Sequence, residues 1–554
     1  MAGAVVVAVA AAYLLGGRVH RGSALAYLPS PATWLSRLSA PEASSAHADS
    51  ATAPSASTLA PPPAPGEAEQ SFGFETVAAL ARDRAAHPYQ NRSPPLPTAI
   101  AKLSFDQYQS IRFRRNEALW RNQSLFEVQF FHRGFNFDRR VALSEIVDGT
   151  PHVIPYNAAW FDFGRVVRQP GRLPRDLGYA GFRVHYPLHT PAYKDELIVF
   201  LGASFFRVLG RNQDYGLTAR ALAIDTASKQ GEESPWFTDF WLVRPQLPEQ
   251  RTLTIYALLD SESVAGAYRF EVRPGNITQV EVRSELFPRR AIAKLGVAPM
   301  TSMFLFGKDP AGHHFNDYRP EVHDSDGLMM ETGTGQWIWR PLVNPRELRI
   351  NRFLDESPHG FGLIQRDRDF NHYQDEGARF QRRPSYWVQP LGGWGRGAVE
   401  LVEIPTDEDI HDNIALYWVP AAPLTAGQSM TFNYLLSSHA DSPRWPPGAK
   451  VIATRTMDAP TDGHGRRVDA RRVMIDFTGG DLDGLDRTQP VKAMLTVNGG
   501  LAADVTVERL PDNGVWRVSF LVTASRPHEG VDLRCYLQLY DEVLTETWDY
   551  ELST

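Results

Sequence analysis

The sequence predicts a mainly β protein: a large N-terminal antiparallel β-sandwich domain followed by a smaller immunoglobulin-like β-sandwich. Two observations point that way. Short runs of alternating apolar and polar residues recur along the chain, as in Phe126, Val128 and Phe130 set against Glu127 and Gln129. Gly, Pro, Asn and Asp interrupt those runs from Leu125 to Phe287 and again from Phe361 to Tyr417. Helical spacing is confined to Thr76 to Arg84 and to a candidate stretch from Asp106 to Leu119.

In chain order, Ala2 to Leu15 form an apolar run too short to span a bilayer comfortably, of the kind found in the core of a signal peptide. Arg18 and Arg21 follow the run instead of preceding it, so an uncleaved anchor, a mis-set start and a non-functional leader stay open beside export. Pro41 to Gln70 are rich in Ala, Ser and Pro and cannot bury enough surface to fold, which makes residues 1–71 a leader and a flexible tether.

The folded part is expected to begin near Phe72, with the large domain over residues 72–422. The segment Pro420 to Gly427, with its prolines and glycine, is the candidate boundary. Residues 428–554 then hold a ladder: Met430 to Leu436, Val473 to Phe477, Val491 to Val497, Val505 to Leu510, Trp516 to Val522 and Leu533 to Leu539. Pro511-Asp512-Asn513-Gly514 reads as a hairpin turn, because Asn-Gly tolerates positive φ. About seven strands in that length fit an immunoglobulin-like sandwich.

A chain of 554 residues exceeds one ordinary core, and a net charge of -7 offers no basic stripe for nucleic acid. The single cysteine, Cys535, excludes an internal disulfide and a cysteine-rich metal site, and it reads as a small buried strand residue.

The chemistry concentrates between Tyr318 and Trp418. Two carboxylate clusters, His323-Asp324-Ser325-Asp326-Gly327 and Asp407-Glu408-Asp409-Ile410-His411-Asp412-Asn413, bracket Trp337, Trp339, Arg340, Arg366, Arg368, Asp369, Tyr373, Trp387 and Trp394. Rings that stack and polar groups that bind hydroxyls suit a carbohydrate site. Two carboxylates are the minimum for acid/base cleavage of a glycosidic bond. Competing readings are weaker. Asp324-Ser325-Asp326 fits the loose D-x-D pattern of metal-dependent glycosyltransferases, yet no Gly-rich phosphate loop accompanies it. His313, His314, His323 and His411 lack the close spacing of a metal site, so no metal or other cofactor is expected.

Several segments resemble the periplasmic glucan biosynthesis proteins G and D. They are Tyr318 to Asp324, Trp337 to Leu342, Gln365 to Phe370, Val399 to Thr406, Phe200 to Arg207, Gln213 to Leu217 and Ser261 to Tyr268, so the likeness runs from about Phe72 to the C-terminus. The resemblance implies the two-sandwich layout, a periplasmic location, a β-1,2-linked glucan as partner, and an inverting hydrolase or transglycosylase. It implies Asp412, in Asp412-Asn413-Ile414, as general acid and Asp324 as general base. The third family carboxylate, usually glutamate, is Asp409 here, one methylene shorter. Tyr318, Arg319, His323, Trp339, Arg340, Arg366, Arg368, Asp369, Tyr373 and Trp387 are the expected substrate-binding residues. The alternative is a non-catalytic scaffold that presents glucan to modifying enzymes, and the N-terminal run leaves room for membrane association.

Overall fold

The computed structural model describes residues 71–312, 315–440, 445–459, 470–526 and 529–553. The predicted leader and the tether up to Gln70 fall outside them, as do His313 and His314. Among the described residues no helix is long and apolar enough to cross a membrane.

Strands dominate, and they sort into two large sheets. One has ten strands, running from Glu127–Phe131 at one edge through Asp195–Leu201, Leu295–Ser302 and Ile414–Pro420 to Arg349–Glu356 at the other. The second has fifteen, from Thr150–Val153 and Ala142–Val147 through Val264–Arg273, Thr278–Pro288 and Met430–His439 to the C-terminal strands. Their inner faces meet in a core of interlocking rings. Phe200 of the first sheet lies 5.0 Å from Phe240 and 5.1 Å from Phe270 of the second, edge to face.

The expected helix forms as Phe74–Ala85 and lays Phe74, Val77, Ala78 and Ala81 against Trp241, Leu258 and Phe287 on the fifteen-stranded sheet. The second expected helix is cut to Phe105–Gln109, begun by a reciprocal cap between Ser104 and Gln107. Beyond Ser110 the chain turns extended, because Arg112–Phe113 pairs with Phe161–Asp162.

The strand Met430–His439, read from sequence as the first of the C-terminal ladder, lies inside the large sheet between Thr278–Pro288 and Ser385–Pro390. The Pro420 to Gly427 segment therefore carries the chain from one sheet of the large sandwich to the other, and the C-terminal layers start after His439. There, Lys450–Asp458, Arg471–Thr478, Trp516–Ala524 and Gly500–Arg509 form a four-stranded sheet facing Val491–Asn498, Val531–Leu539 and Thr547–Leu552. The Asn513-Gly514 turn closes its hairpin with Gly514 at φ 72°. Cys535 is fully buried between these sheets, which pushes its thiol up to about 12.

The two regions share both a sheet and a core. Thr547–Leu552 pairs in parallel with Trp337–Pro341, and Met329, Trp339, Ile364 and Trp387 of the large region pack in the C-terminal core. Arg366 crosses the joint: its Nη1 and Nη2 donate to Glu546 at 2.6 and 2.7 Å, while its guanidinium stacks on Trp339 at 3.5 Å. The Glu546 side chain is 0% exposed and that of Arg366 6%. Removing one member of such a pair strands a buried charge. We expect Glu546→Ala to cost about 3–5 kcal/mol in chemical denaturation. A loss below ~1 kcal/mol would mean that the joint is held by apolar packing alone.

Candidate active site

Four successive residues hold both carboxylate motifs. They lie at and just beyond the end of Leu295–Ser302, where it is paired with Ile414–Pro420. Thr301 Oγ1 donates to Asp412 Oδ2 at 3.2 Å, and the Ser302 and Ser325 hydroxyls meet at 2.6 Å. Met303 O accepts the Asp324 N–H at 2.8 Å, and Phe304 N donates to Asn413 Oδ1 at 2.8 Å. Asn413 Nδ2 donates in turn to Phe304 O and Ile404 O, each at 3.0 Å. The Asn of the Asp-Asn-Ile segment is thus a clamp, and it fixes its neighbour Asp412 opposite the loop that carries Asp324.

The His-Asp-Ser-Asp-Gly loop divides its side chains. His323 is fully buried, between Glu321 Oε2 at 3.0 Å and Gln365 Oε1 at 2.9 Å. Asp326 accepts the backbone N–H groups of Arg366 and Asp367. That employment makes it a structural anchor. Gly327 is required, since a Cβ there would lie 2.1 Å from the Trp339 ring. Asp324 alone faces Asp412.

Both aspartates are enclosed, Asp324 2% exposed and Asp412 5%. Burial pushes Asp412 up to about 6, with Asp324 raising it further and Arg207 and Thr301 opposing. Asp324 is raised by burial too, but Arg383 and Arg207 pull against that, and Arg383 Nε lies 3.4 Å from Asp324 Oδ1. The two protons belong to a coupled pair, and the closer arginine favours Asp324 as the member that ionises first. Among the described residues, Asp324 Oδ1, Asp412 Oδ1 and Arg383 Nη1 are buried with no hydrogen-bond partner. Buried polar atoms without a hydrogen bond occur elsewhere in the chain too, and these three are distinguished by lying at one carboxylate pair.

Arg207 and Arg383 were not among the expected site residues. Arg207 is held by Thr218 Oγ1 at 2.8 Å. Arg383 packs over Gly216, where a Cβ would meet its side chain at 2.9 Å, which explains the glycine in Gln213-Asp214-Tyr215-Gly216-Leu217. The only sequence signal was that Arg207 closes one of the resembling segments.

Asp409 lies close enough to Asp324 to raise its pKa, but its carboxylate is committed elsewhere. Arg319 Nη1 donates to Asp409 at 2.9 Å and to Asp375 at 3.0 Å, and the same guanidinium binds Asp317. This clasp ties three loops together beside the dyad. Tyr318, 77% exposed, stands next to it.

The remaining expected binding residues separate from the dyad. Trp339 and Trp387 are packed in the second core, with Trp387 stacked on Trp337 at 5.8 Å. Tyr373 is buried and bonds Asp367 O and Gln365, while Arg368 spends its guanidinium on the Gln381 and Arg383 carbonyls. Arg340 is buried at the joint with Asp549 and Asn351, and Arg366 is the Glu546 partner described above. Asp369 is an exposed N-cap on Asn371 N. Apolar packing and hydrogen bonds within the protein already engage most of these side chains. Glu321, Asp367 and His372 place ligand atoms within 4.8 Å of one another, yet Lys308 already pairs with Asp367 there.

Fold and site together define a mainly β protein with a buried pair of aspartates braced between the strands of one sandwich. The family described as "Periplasmic glucan biosynthesis protein, MdoG" matches residues 72–552, and the chain belongs to that family. It is 44% identical over 497 residues to "Glucans biosynthesis protein G" of Ralstonia nicotianae, covering 88% of this chain and 97% of that protein. It is 45% identical over 498 residues to "Glucans biosynthesis protein D 1" of the same organism, covering 87% and 92%. With "Probable glucans biosynthesis protein D" of Shewanella oneidensis it shares 41% over 485 residues, 87% and 89% of the two chains.

The raised pKa of Asp412 has a cost in stability. Its folded value of about 6 exceeds the ordinary carboxylate value of 3.8, so its favourable contribution is complete below pH ~4 and lost as pH rises through 6. We expect Asp412→Asn to be more stable than wild type at pH 7 by ~1–3 kcal/mol, with the gain fading toward pH 3.5. Urea melts at the two pH values check it; an equal difference at both would show that Asp412 is not perturbed.

Proposed function

We propose that the protein acts in glucan biosynthesis in the periplasm by cleaving or transferring β-1,2-glucosidic bonds with inversion. In this reading Asp412 is the general acid and Asp324 the general base. The observation that carries it is the pair of buried aspartates, one ion-paired with Arg383 and the other not, whose surroundings push their proton affinities apart. Family membership supports the glucan, since the relatives are named as glucan biosynthesis proteins.

Asp412 enters protonated and delivers its proton to the leaving oxygen. Asp324, favoured as carboxylate by Arg383, takes a proton from water or from an acceptor hydroxyl. The Arg383 Nη1 hydrogen is offered to a hydroxyl of the bound sugar. Because the dyad is enclosed, the glucan reaches it when the Arg319 clasp opens, and Asp409 returns to Arg319 when it closes. The alternative, a glucan-binding scaffold without turnover, is favoured by one observation: Asp409 is bound to Arg319 instead of extending the dyad.

Incubating the purified protein with linear β-1,2-glucan, followed by product mass, reducing-end analysis and early-time NMR, separates these readings. The expected first product is the α anomer. Its rate should fall as pH rises through about 6, where Asp412 loses its proton. Asp412→Asn should cut the rate about 10²–10⁴-fold with glucan binding retained. Binding without any product supports the scaffold, and a β anomer formed first contradicts the inverting mechanism.

A further inference from the structure

One cavity is lined by neither aspartate of the dyad. It has a volume of about 750 Å³ and opens at the joint between the large sandwich and the C-terminal sheets. Such a volume is in the range of small-molecule and oligosaccharide sites. Its walls come from Phe304 to Asp309, from Trp339 to Ile350, from the strand Lys450–Asp458 and from the C-terminal Tyr550 to Ser553. The cavity and the dyad lie on opposite sides of one short strand: His323 and Asp326 line the cavity, while the intervening Asp324 faces Asp412.

Three features describe what it would hold. First, histidine apart, as many acidic as basic side chains line it, and several are already paired, Lys308 with Asp367 and Arg349 with Glu551. A charged ligand would find no excess of countercharge. A neutral molecule rich in hydroxyls would find both donors and acceptors. Second, Tyr550 lines the wall, stacked on Trp548 at 5.4 Å, and it is only 7% exposed. Among the described residues its hydroxyl makes no hydrogen bond to protein, which leaves it available to a ligand. Third, Arg346 and Glu347 stand exposed at the rim, also without protein partners among the described residues. An amphipathic ring with a free hydroxyl, in a cavity that also offers a donor and an acceptor at its rim, suits a saccharide.

We propose that this cavity is a second, non-catalytic saccharide site that holds a segment of glucan, with Tyr550 and Arg346 among its contacts. The choice of glucan as the saccharide rests on the reading of the dyad given above. The site would retain the polymer while another segment occupies the catalytic side, so that binding and cleavage are served by different faces of the strand Val322–His323.

The test uses the full chain carrying Asp412→Asn, so that the probe is not consumed. A linear β-1,2-gluco-oligosaccharide of defined length is titrated calorimetrically. Two binding events are expected, and Tyr550→Phe should weaken one of them about 5- to 10-fold while leaving the other unchanged. Arg346→Ala, at an exposed position that folding does not depend on, should weaken the same event. A single event untouched by both substitutions overturns the cavity proposal and leaves the dyad reading standing. No binding of the oligosaccharide at all overturns both. Inorganic phosphate or citrate displacing the Tyr550-dependent event would show an anion site and overturn the saccharide assignment.

Discussion

The site depends on the hydrogen bonding of Thr301 to Phe304. That four-residue segment touches the Asp412 motif, then the Asp324 motif, and returns through Met303 O and Phe304 N to one of each. The two motifs are far apart in sequence, and this segment joins them. Because the strand feeding the segment is paired with Ile414–Pro420, the register of the ten-stranded sheet sets the position of Asp412 relative to Asp324. Asn413 makes that register hard to slip, since its side chain bonds three backbone groups from two directions. A one-residue shift would turn the faces of Ile414–Pro420 over and displace Asp412, which leads into that strand.

Enclosure then does the chemical work. A carboxylate taken out of water holds its proton more tightly, and a neighbouring guanidinium reverses part of that effect. Arg207 faces both aspartates, but Arg383 lies against Asp324, so the two members are pushed unequally. The same burial that prepares Asp412 to act as an acid makes it a liability at neutral pH. The broad ring-filled core between the sheets, together with the shared core at the C-terminal joint, provides the stability against which that cost is set.

The fold class was legible because period-two alternation and turn residues are local signals. Phe74–Ala85, Glu127–Phe131 and the Asn513-Gly514 hairpin emerge where the residues place them. The passage from Pro420 to Gly427 misled because a turn that crosses between two sheets of one sandwich has the same composition as a linker. Which sheet a strand such as Met430–His439 joins is decided by partners more than a hundred residues away. The aromatic residues of the motifs misled for a related reason. Trp339 and Trp387 look alike in sequence whether they stack on a sugar or, as here, fill the core beneath the C-terminal strands. The dyad was readable only through family resemblance, and Arg207 and Arg383 carried no local mark, since a buried arginine is recognised by its neighbours.

The central claim is that the brace and the two arginines hold Asp412 and Asp324 at different proton affinities. Titrating the side-chain carboxyls by ¹³C NMR, with assignment through Asp412→Asn and Asp324→Asn, measures it directly. The account predicts that Asp412 titrates near 6 and that Asp324 loses its proton at lower pH than Asp412. Finding Asp412 near the ordinary carboxylate value of about 3.9, or finding Asp324 the later of the two to ionise, would contradict it.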